Sequence, residues 1–246
     1  LPSYLISNFA KKNVNTVITG DGADELFGGY APFKAIIPSK VYSKIIHPSI
    51  HKILLNLVNS IPVSHSYMSL DFKIKRSLNG LSYPSHLWNP VWMAHFSKKE
   101  IEDLLMQKVN LEEIYSEAIE IWNSIEKKDE IDKSLEFFTK LYLTENILVK
   151  VDRSSMMNSL ECRAPYLDNE VVEFARKLPN RFKIFRNETK YILKKTAEKS
   201  LPTNIIYKKK QGFSIPIGQW FKEGTISFEK NKINRNTNLS EVNESK

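Results

Sequence analysis

The pattern of apolar and polar positions predicts a mainly helical protein with one evident strand. β-Branched residues dominate 14–19 (VNTVIT), which predicts a short strand that ends at Gly20. Beyond it, apolar residues recur at spacings of three and four, the period of an α-helix. The segments with this period are 50–58, 98–107, 111–127, 131–150, 169–178 and 189–200. Proline ends the last two, at Pro179 and Pro202.

The pattern predicts loops between these elements and a flexible tail at the end of the chain. ECRAPYLD (161–168) and KKKQGFSIPIG (208–218) are the predicted loops. Residues 231–246 are rich in Asn, Ser and charge and too poor in apolar groups to offset the entropy of ordering. We therefore expect one domain over 1–230 and a flexible polar tail over 231–246. The expected fold class is α/β, predominantly helical, with only a partial sheet whose other strands would precede residue 1.

Composition and charge indicate the cellular environment of this protein and the class of ligand that it binds. Apolar runs are broken by charge well short of the roughly 20 residues that a membrane helix needs, and the first residues form no signal-peptide pattern. A single cysteine, Cys162, cannot form an internal disulfide. We expect a soluble, cytoplasmic protein that binds no membrane. The net charge of +8 suits an anionic partner, but no nucleic-acid-binding motif accompanies it, so a phosphate-bearing small molecule is favoured over nucleic acid.

The segment GDGADELFGGY (20–30) carries the most chemistry. Asp21, Asp24 and Glu25 place three acidic groups within five residues, and carboxylate oxygens are ligands for Mg²⁺. Gly20 and Gly22 permit backbone conformations and close approaches that a Cβ would hinder. Ligands of open α/β sheets bind where strands end, as this segment does. The alternative is an acidic turn that only caps a helix, with Asp21 or Asp24 as N-cap.

Four blocks of this sequence resemble motifs of the asparagine synthetase family. GDGADE is similar to that family's Gly-(Asp/Glu)-Gly-(Ala/Ser)-Asp-Glu loop. The other blocks are VKVDRSSMMNSLECRAPYLD (149–168), TKYIL (189–193) and KQGF (210–213), and they occur in the family's order. The resemblance covers most of the chain and points to the family's C-terminal synthetase domain.

The resemblance implies a fold of the adenine-nucleotide α-hydrolase, or PP-loop ATPase, type. It also implies a glutaminase domain with an N-terminal cysteine nucleophile, and a phosphate loop, Ser-Gly-Gly-x-Asp-Ser, ahead of GDGADE. These 246 residues contain no Ser-Gly-Gly and do not begin with Cys. We therefore expect a synthetase domain that lacks these parts and is inactive by itself. A homodimer is an open expectation.

The implied reaction uses ATP and Mg²⁺ to adenylate the side-chain carboxylate of aspartate, after which ammonia from glutamine gives asparagine and AMP. By position in the family's motifs, Asp24 is the expected Mg²⁺ ligand, while Gly20 and Gly22 line the nucleotide. Because carboxylate and triphosphate repel each other, cations must also be present. Lys190 resembles a phosphate-contacting lysine. Lys210 resembles the lysine that meets the α-phosphate.

The remaining role in this site falls to Asp21, which occupies the position of an acidic residue beside the reacting groups. We expect Asp21, Asp24, Lys190 and Lys210 to surround one cleft. Plainer readings compete with some of these roles. A basic run such as 208–210 is usually a solvated surface, and Lys190 could be an exposed lysine in a first helical turn.

Three nearby residues have expected supporting roles. Glu25 suits a helix start, where its charge complements the helix dipole. Arg163 should hold its loop by pairing with Glu161 or Asp168 rather than bind substrate. Cys162 should be a buried, inert thiol.

Two rival functions remain open. A relative that adenylates another carboxylate, such as a β-lactam synthetase or a peptide-cyclising enzyme, would share these blocks. A non-catalytic remnant or partner subunit would also explain a chain without a phosphate loop.

Overall fold

The computed structural model describes residues 1–61, 69–125, 129–208, 215 and 217–224. Within them the protein is mostly helical with few strands, as the predicted fold class requires. The predicted tail at 231–246 lies outside the described residues, as does Lys210. None of the helices in the described ranges is long and apolar enough to cross a membrane.

The first half of the chain contains one short strand among helices. Its elements are α1 (Pro2–Lys11), β1 (Thr16–Ile18), α2 (Ala23–Leu26), α3 (Ala31–Ile45), α4 (Pro48–Asn59), α5 (Leu70–Leu81), a 3₁₀ turn (Ser85–Leu87), α6 (Trp88–Met93), α7 (Lys98–Leu105), α8 (Leu111–Ile114) and α9 (Ser116–Asn123). The predicted strand and the predicted helices at 50–58 and 98–107 are present. The helix predicted over 111–127 is interrupted at Tyr115, which leaves helical geometry.

The second half contains the remaining strands. Its elements are α10 (Glu130–Phe137), a π-helix (Phe138–Leu148), α11 (Val149–Met156), β2 (Glu161–Arg163), a 3₁₀ turn (Pro165–Leu167), α12 (Asn169–Lys177), α13 (Asn180–Lys183), β3 (Ile184–Phe185), β4 (Glu188–Thr189), α14 (Tyr191–Ala197), α15 (Thr203–Ile206) and α16 (Ile217–Lys222).

Two predictions for the second half of the chain were wrong. Residues 161–163, predicted as loop, form β2, because they pair with β1. The helix predicted over 189–200 begins only at Tyr191, because Thr189 belongs to the β3–β4 hairpin.

Two apolar clusters support the region around residues 20–30. The larger joins α3, α6, α9, α10 and the start of the π-helix through buried Phe33, Ile36, Trp88, Trp92, Ala118, Ile131, Leu135, Phe137 and Phe138. The smaller consists of Leu26, Phe27 and Ala175, and it packs α2 against α12. Burying a side chain of the size of Leu or Phe contributes about 1.5–3 kcal/mol. The smaller cluster, which includes Leu26, therefore holds α2 in place despite its single turn.

Candidate functional site

The candidate site lies at the carboxyl ends of two parallel strands. β1 and β2 pair in parallel, with Thr16 opposite Glu161 and Ile18 opposite Arg163. Beyond the ladder, the Thr19 N–H donates to the carbonyl oxygen of Arg163 at 2.7 Å. Both following loops therefore leave the same edge of the sheet, and this edge is where open α/β sheets bind ligands.

Gly22 brings the two loops into contact. Its φ is +90°, a left-handed conformation that side chains disfavour. A Cβ at Gly22 would lie 2.3 Å from Cδ2 of Leu167, in the turn after β2. Gly20 differs, because a Cβ there would meet no heavy atom of the described residues within 4 Å. The expectation of a glycine-dependent close approach is therefore confirmed at Gly22, whereas at Gly20 none of the described residues makes such an approach.

Asp24 and Lys190 form an ion pair across this region. Lys190 Nζ lies 2.9 Å from Asp24 Oδ1, and the two side chains are 29% and 22% exposed. The partial exposure leaves both groups open to a ligand while reducing the screening of their charges by water. The structure thus brings together two of the four side chains expected around one cleft.

The backbone of Lys190 holds it in this position. Lys190 has φ 53° and ψ 37°, a left-handed conformation that is uncommon outside glycine. It directly follows β4, and its N–H donates to the carbonyl oxygen of Phe27 at 3.2 Å. Such conformations persist only where the surroundings impose them, and they concentrate at functional sites. Lys190 stands at the N-cap of α14 rather than in its first turn, and its side chain is only partly exposed, which differs from the alternative of an exposed first-turn lysine.

Gly29 provides the space that the ion pair occupies. A Cβ at Gly29 would lie 1.8 Å from Asp24 Oδ1 and 2.6 Å from Lys190 Cε. No real Cβ makes contacts this short. The sequence displays the Gly28-Gly29 doublet in the resembling block, but nothing local shows which partner requires a glycine there.

Glu25 lies in the first turn of α2, as expected, but its side chain is buried. Its side chain is 2% exposed, and it accepts a hydrogen bond from the Tyr30 hydroxyl. Burial raises the pKa of Glu25 above its usual range, although the Tyr30 hydrogen bond opposes this effect. Burial likewise raises the pKa of Tyr30, and the bond to Glu25 raises it further. An interaction with the helix dipole therefore does not by itself explain why Glu25 is buried and bonded to Tyr30.

The structure also gives the positions of Asp21, Arg163 and Cys162. Asp21 lies half-buried in the turn between Gly20 and Gly22, close to Asp24 in sequence. Arg163 pairs with Glu161 through its Nε at 2.7 Å, in agreement with the structural role expected for it. Cys162 is partly exposed on β2, so the expectation of a fully buried thiol was wrong.

The described residues contain no group of three or more His, Cys, Asp and Glu side chains able to hold a metal ion. A single carboxylate suits Mg²⁺ only together with phosphate oxygens and water, a ligand set that Mg²⁺ commonly has in nucleotide sites. Asp24 fits such a shared arrangement. It does not fit a metal site made by the protein alone.

Comparisons with known proteins agree with the motif blocks. The family model described as asparagine synthase matches residues 1–242. Glutamine-hydrolysing asparagine synthetase 1 of Bacillus subtilis is 30% identical over 235 residues, which are 95% of this chain and 36% of that protein. A candidate glutamine-hydrolysing asparagine synthetase of Mycobacterium bovis is 29% identical over 92% of this chain and 33% of that protein.

The chain therefore spans about a third of the length of these curated relatives. No solved structure is significantly similar to it. Because the family model covers nearly the whole sequence, the motif blocks, the parallel strand pair and the Asp24–Lys190 contact all lie within one matched region. The chain belongs to the asparagine synthase family.

Proposed function

We propose that this chain is the synthetase part of a glutamine-hydrolysing asparagine synthetase. An oxygen of the aspartate side-chain carboxylate attacks the α-phosphorus of ATP, and pyrophosphate leaves. Ammonia then adds to the carbonyl carbon of β-aspartyl-AMP, loses a proton, and expels AMP to give asparagine. The observation that carries the proposal is the contact between Asp24, in the helix after β1, and Lys190, directly after β4, in a chain matched to the family over residues 1–242.

The proposed roles follow from the charges at this site. Lys190 would bind phosphate oxygens of ATP, and Asp24 would hold Mg²⁺. When bound, Mg²⁺ offsets the repulsion between carboxylate and triphosphate and stabilises the charge on pyrophosphate. Gly20 leaves open space beside the loop for the nucleotide, and Gly22 keeps the loop against the turn after β2. Asp21 positions the reacting groups.

Lys210 remains assigned by its motif alone, as the cation at the α-phosphate. The proposed fold is of the PP-loop ATPase type, and what supports it is the parallel strand pair with helices around it. The proposed partner is a glutaminase domain that supplies ammonia. Two relatives named as glutamine-hydrolysing support this, since the chain matches only about a third of each. A homodimer stays a prediction.

The test joins this chain to the upstream part of the Bacillus subtilis relative, which we call the joined enzyme. We expect it to release pyrophosphate in an aspartate-dependent reaction. Asp24→Asn and Lys190→Ala should each lower kcat/KM by about 10²-fold, the typical effect of removing one preorganised charge. Glutamate release from glutamine should be unchanged in both variants, as the internal control.

Other carboxylates in place of aspartate test the choice of substrate. Pyrophosphate release that depends on a different carboxylic acid would assign the chain to a related amide-forming enzyme. Full activity in Asp24→Asn would contradict the proposed site.

A further inference from the structure

Glu25 and Tyr30 form a buried polar contact directly behind the candidate site. Glu25 follows Asp24 in α2, and its 2% exposed carboxylate accepts the Tyr30 hydroxyl. An acidic group removed from water destabilises a fold unless hydrogen bonds compensate it. Nothing in the roles of Asp24 and Lys190 uses this pair.

The Tyr30 ring is held by the π-helix. It stacks on Phe138 with centroids 4.8 Å apart and meets Tyr142 edge-on at 5.4 Å. Phe138 is completely buried, so Tyr30 rests on part of the larger apolar cluster. π-Helical geometry is rare and is often found at functional sites. The position of the Tyr30 hydroxyl is therefore set by the core and not by solvent.

Helix α2 has little rigidity of its own. It has four residues and no side-chain hydrogen bond at its N-cap, Gly22. Leu26 and Phe27 anchor it to the smaller cluster, while Tyr30 belongs to the surroundings of the larger one. The hydrogen bond between Glu25 and Tyr30 therefore links α2, which packs on the smaller cluster, to a side chain that packs on the larger cluster. A rotation of α2 would have to break it.

Glu25 has polar surroundings on a second side as well. It lines a cavity of about 30 Å³ together with Glu136, Arg176 and Lys183, among others. Arg176 is held there by Glu136, at 2.6 Å from its Oε1. A polar cavity of this volume has room for water. Asp132 and Glu136 also line the cavity, so its two cations, Arg176 and Lys183, face three acidic groups.

We infer that Glu25 and Tyr30 are positioning residues whose hydrogen bond fixes the rotation of α2 and thereby holds Asp24 against Lys190. This inference deepens the proposed function and rests on it for its importance to ATP binding. Its geometric content concerns only the Asp24–Lys190 contact. It can therefore be tested without ATP.

The test measures how fast the Lys190 amine is acetylated by N-hydroxysuccinimide acetate in the 246-residue chain. Peptide mass spectrometry reports the rate relative to that of Lys177, whose side chain is 79% exposed. An ammonium held by a carboxylate must leave it before the amine can react. Asp24→Asn sets the unprotected rate, which we expect to be about twofold to fivefold above wild type, as for a partly exposed ion pair.

We expect Tyr30→Phe and Glu25→Leu to raise the Lys190 rate toward that of Asp24→Asn. Glu25→Gln should stay near the wild-type rate, because its amide oxygen still accepts the Tyr30 hydroxyl. Tyr142→Phe is the matched control. It removes a hydroxyl from the neighbouring ring of the same cluster, keeps the ring, and should leave the rate unchanged.

Three outcomes would overturn the inference. The first is a wild-type Lys190 rate in Tyr30→Phe, even if that variant unfolds at a lower temperature, because the pair would then be only structural. The second is a Glu25→Gln rate as high as that of Tyr30→Phe. The third is a wild-type rate in Asp24→Asn, which would mean that no ion pair protects Lys190. Pyrophosphate release by the joined enzyme tests the proposed function separately.

Discussion

Adding one methyl group at Gly29 should break the candidate site while leaving the fold intact. The new Cβ would lie 1.8 Å from Asp24 Oδ1, whereas ordinary contacts begin at 3.4 Å. The carboxylate oxygen must therefore withdraw by the difference, about 1.6 Å, because Gly29 itself is part of the backbone and cannot move as freely. Lys190 Cε, at 2.6 Å from the same Cβ, must also shift.

The expected loss of stability depends on which groups the new methyl group displaces. Both displaced groups are side-chain ends with partial exposure, so we expect Gly29→Ala to lose about 1 kcal/mol of unfolding free energy, the upper range for such an ion pair. The effect on chemistry should be far larger. Misplacing a binding group by about 1 Å can lower a rate by about 10²-fold, because the reacting atoms leave their productive geometry.

Two assays separate these effects. Urea unfolding of the 246-residue chain measures stability, and aspartate-dependent pyrophosphate release by the joined enzyme measures kcat/KM. Gly218→Ala is the control, since no heavy atom of the described residues lies within 4 Å of a Cβ at Gly218. It should lower neither quantity, and it should raise stability by up to about 1 kcal/mol, because Gly218 lies in α16 and alanine favours a helix. Pyrophosphate release by Gly29→Ala within about twofold of wild type would refute the assignment of this pair to the site, since the predicted loss is about 10²-fold.

Three further predictions concern other parts of the chain. In the joined enzyme, Lys210→Ala should lower kcat and kcat/KM together by about 10²- to 10³-fold, whereas Lys208→Ala and Lys209→Ala should have little effect; equal losses at all three would indicate general charge instead. The 246-residue chain alone should make no AMP from aspartate, ATP and glutamine, since it lacks a Ser-Gly-Gly motif, and AMP detected by chromatography would contradict this. Because folding raises the pKa of Glu25 above 4.5, its protonation contributes stability that is present below that pH and is lost as pH rises through the folded-state pKa. The stability of wild type relative to Glu25→Gln should thus fall from about pH 4.5 upward in urea titrations, and a constant difference would show that Glu25 does not titrate in this way.

Local signals in the sequence were sufficient where a structure depends on near neighbours. The β-branched run at 14–19 predicted β1, and apolar residues at helical spacing predicted α4, α7 and α12. The hydrophobic pattern was less reliable where contacts between distant residues determine the local structure. Pro38 lies inside α3, where local rules expect a break, yet Phe33 and Ile36 of that helix are buried in the larger cluster.

The π-helix shows the same limit. Apolar spacing over 131–150 predicted one continuous helix, whereas the structure has α10 and then π-helical geometry from Phe138 to Leu148. A shift from α to π winding changes which side chains share a face. Within the π-helix, Phe138 and Tyr142 both contact Tyr30. No local propensity in this segment announces that change.

The sequence by itself determined the chemical inventory of this protein: the GDGADE loop, the lysines at 190 and 210, and the family to which they belong. Only the tertiary structure decided which groups meet. It paired Asp24 with Lys190, required a glycine at position 29, and buried Glu25 against Tyr30. The physical reason is that residue types and their spacing encode short-range preferences, whereas these contacts depend on the parallel pairing of β1 with β2 and on the packing of two separate cores.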